Sequence, residues 1–533
     1  MRRKILWLLA SCLAVAGLVL ASCAPAAPAP TPTPTPTPAP TPKPAPKPTP
    51  AEKEAVAPAA KEPQYGGTLT ATWINQEPQS WDPVDAMWNT NVFNNHMEFL
   101  LIGDLLKGPR GTNQFSFQTP DFIPEEVTTG QLVESWEWTD PLTLVMRLRK
   151  GVMFQGKAGV MAARELVADD VVYCRYRYWQ DPRRGPSEEI ESVTARDKHT
   201  VVFKWKRFSG DWMNGIGWGY YVQIYPPELV KAGIHDWRNA VGTGPFIVKD
   251  YVSGAAVTYE KNPNYWGTAV VGGKEYKIPF VDRFVHPIII DESTELAALR
   301  TGKLDHALVS NRYKKTLAET NPELVRFEMA PLSFPMMGMR PDKKPFDDIR
   351  VRRALNMAID RKAMINSLYE GNGVVLSAPF AASWPETLYT PLEKLPPSAR
   401  ELLEYNPEKA KKLLAEAGYP KGFKTQLDCA TTAATLDRNS MVVAYWKDIG
   451  VECELKPREY ASLLRMMMGH KQEAILETGK YNGTPISILS IMGTNSGGGT
   501  WNAACFWPDD FKARLDKADQ TVNAVERSRL LKE

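Results

Sequence analysis

Residue types able to make or break bonds are sparse and scattered in this sequence. The six histidines, His96, His199, His235, His286, His306 and His470, show none of the short spacings that bring imidazoles onto one metal ion. No GxSxG elbow, HExxH helix, Walker loop or GxGxxG turn occurs, so nucleophilic, zinc-dependent and nucleotide-dependent chemistry lack their carriers. The adjacent carboxylates Asp169 and Asp170 resemble an acid/base couple only until Val171-Val172-Tyr173 is read after them. There they open a helix, where negative charge is favoured by the helix dipole. Met336, Met337 and Met339, and again Met466 to Met468, offer soft thioethers, but both groups sit in apolar segments and read as core filler. Arg350, Arg352 and Arg353 are spaced as a solvated helix flank. What is abundant is aromatic surface, with 16 Trp and 19 Tyr, rigid side chains that suit recognition of a ligand. The pattern points to binding, with no metal and no cofactor expected.

The elements that would position such a surface begin outside the cytoplasm. Met1-Arg2-Arg3-Lys4 is a basic start, and residues 5–20 are an apolar stretch too short to span a bilayer comfortably, as in a secretory signal. Leu20-Ala21-Ser22-Cys23 resembles a bacterial lipobox, which makes 1–22 a lipoprotein signal peptide and Cys23 the lipidated first residue of the mature chain. From Pro28 to Pro50 every even position is proline, so 23–64 is read as an anchored linker whose core is an extended spacer of roughly 70 Å. The chain has 533 residues, 43% of them apolar, enough for two or three domains and a sizeable core. Its 64 Lys and Arg nearly balance 61 Asp and Glu, a net +3 that gives no basis for a nucleic-acid surface. Six cysteines without a CxxC pair support neither a disulfide framework nor a zinc site.

Beyond the linker the hydrophobic period alternates between two and 3.6 residues, which predicts an α/β fold. Residues 68–73, 142–149 and 201–206 read as strands, with Leu142, Leu144, Met146 and Leu148 on one face. Val351, Ala354, Leu355, Ala358 and Ile359 have helical spacing. A further helix has Asn406 as N-cap, Pro407 in its first turn and Gly418 at its stop, with Ala410, Leu413, Leu414 and Ala417 as its stripe. Another, over 436–449, ends at Gly450 before a strand that turns Val451, Cys453 and Leu455 inward, making Cys453 a small buried hydrophobe. Residues 508–533 read as one amphipathic helix with Phe511, Leu515, Ala518 and Val522 on its face.

Ordered blocks along the chain then show a resemblance. Gly66-Gly67-Thr68-Leu69, Trp81-Asp82-Pro83, Leu132-Val133-Glu134-Ser135-Trp136, Leu148-Arg149-Lys150-Gly151, Gly242-Thr243-Gly244-Pro245-Phe246, Lys261-Asn262-Pro263-Asn264-Tyr265-Trp266 and Phe346-Asp347-Asp348-Ile349-Arg350 resemble successive blocks of the family 5 extracellular solute-binding proteins. The resemblance implies a type II periplasmic-binding-protein-like fold of two lobes with an additional domain and a ligand cleft between the lobes. Domain I would combine 65–95, 210–325 and 495–533, domain II would be 96–209, and domain III 326–494. The implied function is capture of a peptide or peptide-like solute by hinge closure, with delivery to an ABC permease and its ATPase. The chain would act as a monomer, touching the membrane only through its lipid. The alternatives on the same chain are a lipid-anchored hydrolase, for which the residues offer no constellation, or a ligand sensor.

The same resemblance nominates site residues. In peptide receptors of the family an acid before a Tyr-Asn turn in domain III pairs with the ligand's ammonium. The matching turn here holds Lys480, Tyr481 and Asn482, with Glu477 the nearest acid. A lysine at that place repels an ammonium, so the ligand is expected to differ from a simple peptide with a free N-terminus. Trp384, on a Ser-Trp-Pro loop, Trp501 and Asn502, after three glycines, and Trp88 in domain I complete the ligand-binding candidates. Family members continue past the position of Glu533, so the C-terminal part of domain I is expected to be cut short.

Overall fold

Among the described residues of the computed structural model, three four-stranded sheets organise the fold. The structure describes residues 62–72, 78, 80–85, 92–104, 107, 122–182, 187, 189–327, 335–376, 379–380, 384, 387–478, 483–493, 502–506 and 508–533. The signal segment, Cys23 and the proline spacer lie outside them. In the first sheet Thr68–Thr70 runs parallel to Arg283–Pro287, which is antiparallel to Ala256–Lys261, itself antiparallel to Phe246–Val252. Val257 and Tyr259 alternate inward along their strand, as a half-buried strand requires. The first strand ends earlier than its alternation predicts, and Ala71 continues only as an isolated bridge to His306.

The second sheet orders Val133–Asp140, Thr143–Leu148, Thr200–Trp205 and Ile190–Asp197, all antiparallel. Leu144, Met146 and Leu148 are buried, but Leu142 is 38% exposed because it sits in the turn that precedes the strand. The Ala168–Gln180 helix packs on this sheet. Asp170 opens that helix as expected: its carboxylate accepts the Val167 N–H at 2.9 Å and two Arg164 nitrogens at 2.9 and 2.7 Å.

The third sheet orders Met336–Met339, Ile475–Thr478, Lys424–Ala430 and Glu452–Arg458, the last three mutually parallel. A parallel pair needs a crossover, and the Ala433–Asp448 helix supplies it, starting three residues before the expected point. Beside it the Ile349–Met357 and Pro407–Glu416 helices pack together. Asn406 caps the second of these by accepting the Lys409 N–H at 3.0 Å, and Gly418 leaves it at φ +93°. Met337 and Met339 pack against this layer's core, and Met467 is buried beside Leu463 and Leu476. Cys453 is half-buried, and burial pushes its thiol up to about 12, which keeps it unreactive.

One apolar core runs from Ala71 to Phe284 and includes both the first and second sheets. A separate core, Phe346 to Ile475, belongs to the third. The motif blocks prove to be the polar seams of the first core. Asp82 accepts two Arg177 nitrogens and the Val84 N–H, and Arg177 also meets the Tyr225 hydroxyl at 2.8 Å. The Tyr265 hydroxyl and Trp266 indole donate to buried Glu98 at 2.8 and 3.0 Å. Gly242 and Gly244 lie so close to the backbone of His96 that a Cβ on either would collide with it.

At the C-terminus the single expected helix is two, Asp509–Asp519 and Ala524–Lys532. Asn523 restarts the helix by accepting the Glu526 N–H at 2.9 Å, a local cap that competes with continuation through residues 520–523. Leu515 and Ala518 are buried, whereas Val522, in the break, is 49% exposed.

Candidate functional site

A concavity among the described residues has walls contributed by segments that are remote in sequence. Two adjoining cavities, of about 340 and 470 Å³, share Asp211, Trp212, Asn214 and Ile486. The first-core side supplies Phe122 to Glu126 and the turn from Gly210 to Trp218. Thr387, Leu388 and the start of the Pro485–Gly493 helix come from the third-sheet side, and the last helix adds Arg527 and Leu531. The short Trp212–Ile216 helix is anchored from behind, because the buried Trp212 ring meets Trp138 edge-on at 5.6 Å. Gly210 lets the Arg527 side chain and the tip of Ile486 pack closely: a Cβ there would come within 2.9 Å of Ile486 and push both side chains aside.

The two C-terminal helices are tied to this wall by a buried carboxylate. Asp519 accepts the Ser209 hydroxyl at 2.9 Å, the Gly210 N–H at 2.8 Å and Arg207 at 3.2 Å. A small apolar cluster of Phe380, Trp384, Leu388 and Ile488, joined by Phe122 and Leu531, closes the same region from the other end. The cleft is thus walled on one side by Trp212 of the first core and on the other by Leu388 and the start of the Pro485–Gly493 helix, with Leu388 in the small apolar cluster.

Its charge is predominantly negative. Burial pushes the Asp211 carboxyl up to about 7, with repulsion from Asp519 and Glu189 adding to this, and with Thr484 and Asn214 opposing it. Glu125 and Glu126 stand exposed on the wall of the smaller cavity. The cation of that wall, Arg527, turns its guanidinium to the carbonyls of Thr521 and Val522 at 2.8 and 3.1 Å and lies over the Phe208 ring at 5.6 Å. Among the described residues the one grouping with metal-ligand geometry is Asp82, Asp85 and His235, remote from these cavities in its contacts and already engaged by Arg177.

The nominated residues fall in three places. Glu477 is buried, and its carboxylate receives the Arg438 guanidinium and the Asn439 amide from the neighbouring helix, so its charge is matched within its own layer. Trp384 is 4% exposed, stacked on Phe380 at 5.2 Å and tilted against Phe122 at 5.0 Å. It stands behind the cavity wall formed by Phe122 and Leu388, and its indole N–H has no partner. Asn502 is buried in a turn, donating to the Phe506 carbonyl at 2.9 Å and accepting the Ala504 N–H at 3.0 Å. Trp88, Lys480, Tyr481, Asn482 and Trp501 lie outside the described residues. Asp211 and Arg527 carry no sequence signature. The available sign was the aromatic run Trp212, Trp218, Tyr220 and Tyr221 just after a strand.

Comparison with known proteins gives this geometry its context. The model of the bacterial extracellular solute-binding proteins, family 5, middle region, matches residues 128–500. The chain belongs to this family. The heme-binding protein A of Haemophilus influenzae is 30% identical over 429 residues, 75% of each chain. The dipeptide-binding protein of Escherichia coli is 26% identical over 450 residues, 79% of each. Among solved structures, the periplasmic binding protein DppA of Helicobacter pylori in complex with the peptide STSA superposes with a TM-score of 0.69. It is 23% identical and covers 88% of this chain and 90% of that one, which shows the shared fold. This family 5 member has the two-lobe type II architecture and is a substrate-binding receptor of an ABC importer.

Proposed function

We propose that the chain captures a peptide or peptide-like small solute in the cleft around Asp211 and Trp212, closes about it and presents the closed form to its permease. The observation that supports this reading is the origin of the walls: one side holds Trp212 of the first core, the other Leu388 and the start of the Pro485–Gly493 helix, which follows the Ile475–Thr478 strand of the third sheet in the chain. A solute touching both sides binds the closed arrangement more tightly than the open one, and that difference drives closure. Domain I at 65–95, 210–325 and 495–533, domain II at 96–209 and domain III at 326–494 would be the moving parts. The protein works as a monomer outside the cytoplasmic membrane, held there by lipid on Cys23. Its role is capture and delivery, with no catalytic step.

Calorimetry of the full chain against di- and tripeptides and hemin, paired with small-angle scattering, tests this. Saturable binding with a fall in the radius of gyration is expected. Binding without any contraction removes the closure mechanism, and no binding by any member removes the assigned solute class. Loss of membrane attachment in Cys23→Ala checks the anchor.

A further inference from the structure

Buried carboxylates in this protein share one property. Asp82 is held by Arg177, Asp170 by Arg164, Asp428 by Arg458, Asp519 by Ser209, Gly210 and Arg207, and Glu98 by Tyr265 and Trp266. Each has a strong donor inside the fold, as a carboxylate taken out of water needs. Asp211, a half-buried residue whose Oδ1 is shut off from solvent, differs in having no cation and no strong donor among the described residues. That oxygen has no hydrogen-bond partner there, and Oδ2 has the Asn214 amide at a long 3.4 Å.

This carboxyl also stands where the two cavities meet, lining both. The groups around it deepen the demand for a cation. Glu189 and Asp519 are both bonded to Arg207, which leaves that guanidinium committed to them. Arg527 is committed to two carbonyls of its own helix start, and Glu125 and Glu126 add negative charge to the wall. Thr484, from the opposite side of the cleft, turns its hydroxyl toward the Asp211 carboxyl and is, with Asn214, a neutral group that eases but does not match its charge. A protonated amine supplies what is lacking: positive charge and up to three N–H donors in a volume the cavities can accept. An anionic group would meet unscreened repulsion in the same place.

Resting on the receptor reading above, we infer that Asp211 binds a protonated amine of the transported solute, which is therefore a cationic or zwitterionic small molecule. The amine is held from the first-core wall, while Glu477, the acid nearest the Tyr-Asn turn, is engaged by Arg438 and Asn439.

The test uses the full chain, wild type and Asp211→Asn, titrated by calorimetry with matched pairs. Dipeptides and small diamines are each supplied with a free amine and in N-acetylated form, and hemin serves as an amine-free acid. Free amines are expected to bind, N-acetylation to weaken them about 10- to 100-fold, and Asp211→Asn to weaken the free forms by a similar factor, with little effect on any acetylated form. The variant removes an unmatched charge and keeps the shape, so its melting temperature should hold or rise. Should it fail to fold, the acetylation series on the wild type still decides. Equal affinity for free and acetylated partners, or an unchanged affinity in Asp211→Asn, overturns the assignment. Binding of hemin alone overturns the amine assignment and leaves the receptor reading standing. No binding by any member takes down both.

Discussion

Replacing His96 by phenylalanine isolates the energetic cost of a buried titratable ring. The imidazole is 1% exposed among the rings of Trp81, Phe93 and Tyr259, at 6.5, 6.1 and 6.4 Å, and neither nitrogen finds a partner. Burial pushes its pKa down to about 3, with Lys157 adding to the effect. The unfolded chain takes up the proton near the ordinary value of about 6.5, whereas the native state refuses it until about 3. This residue's contribution to stability is therefore complete above about pH 6.5 and is lost progressively as pH falls toward 3. At pH 5 the gap of roughly 1.5 units corresponds to about 2 kcal/mol. A phenyl ring takes no proton and conserves most of the volume, so the packing cost is below about 1.5 kcal/mol and independent of pH. Glu98, whose carboxyl burial raises to about 7, contributes in the opposite sense as pH falls, but equally in both proteins. Urea unfolding near pH 8 and pH 5, followed by tryptophan fluorescence, gives the double difference. The wild type should lose about 2 kcal/mol more than His96→Phe over that interval. Parallel losses in the two proteins would refute the assignment of a neutral, desolvated imidazole.

Two further perturbations test how the first core and the cleft are assembled. Gly242→Ala places a Cβ inside contact distance of the His96 carbonyl oxygen, and relief requires backbone movement, so a loss of about 3 kcal/mol is expected. An unchanged thermal midpoint would show that the approach is looser than described. Asp519→Ala removes the acceptor for Ser209, Gly210 and Arg207, and should lower hydrogen-exchange protection over residues 509–532 by more than tenfold. Protection equal to the wild type would mean that the C-terminal helices are held by Leu515, Ala518 and Leu531 alone.

Features governed by neighbours in sequence were legible from the residues. Asn406-Pro407 and Gly418 bound their helix because a cap, a fixed φ and a left-handed exit are local properties. Asp170 reads as a helix-start residue for the same reason, and most of the Met residues read as packing because their surroundings are apolar, although Met468 at the helix end is 42% exposed. Local reasoning failed where two local preferences compete. Spacing alone carries a helix through 508–533, yet Asn523 restarts it, and Leu142 fits an apolar face but sits in a turn. The ordered motif blocks were visible as text, but their work was not: Tyr265 and Trp266 exist to satisfy Glu98, which lies more than 160 residues away.

The sequence by itself determined the class of the protein: a secretory and lipidation pattern, a proline spacer, an α/β body without catalytic motifs, and family 5 blocks in order. These are properties of composition and short-range spacing, which survive without any knowledge of the fold. Tertiary structure alone decided which acid faces the cleft. Glu477 and Asp211 are both isolated acids in sequence, and their difference arises because the Arg438 cation folds onto one, whereas the other meets only the neutral Asn214 amide at a long 3.4 Å. Whether a charge is matched depends on groups brought within a few ångströms through space, and that proximity is created only when the chain closes on itself.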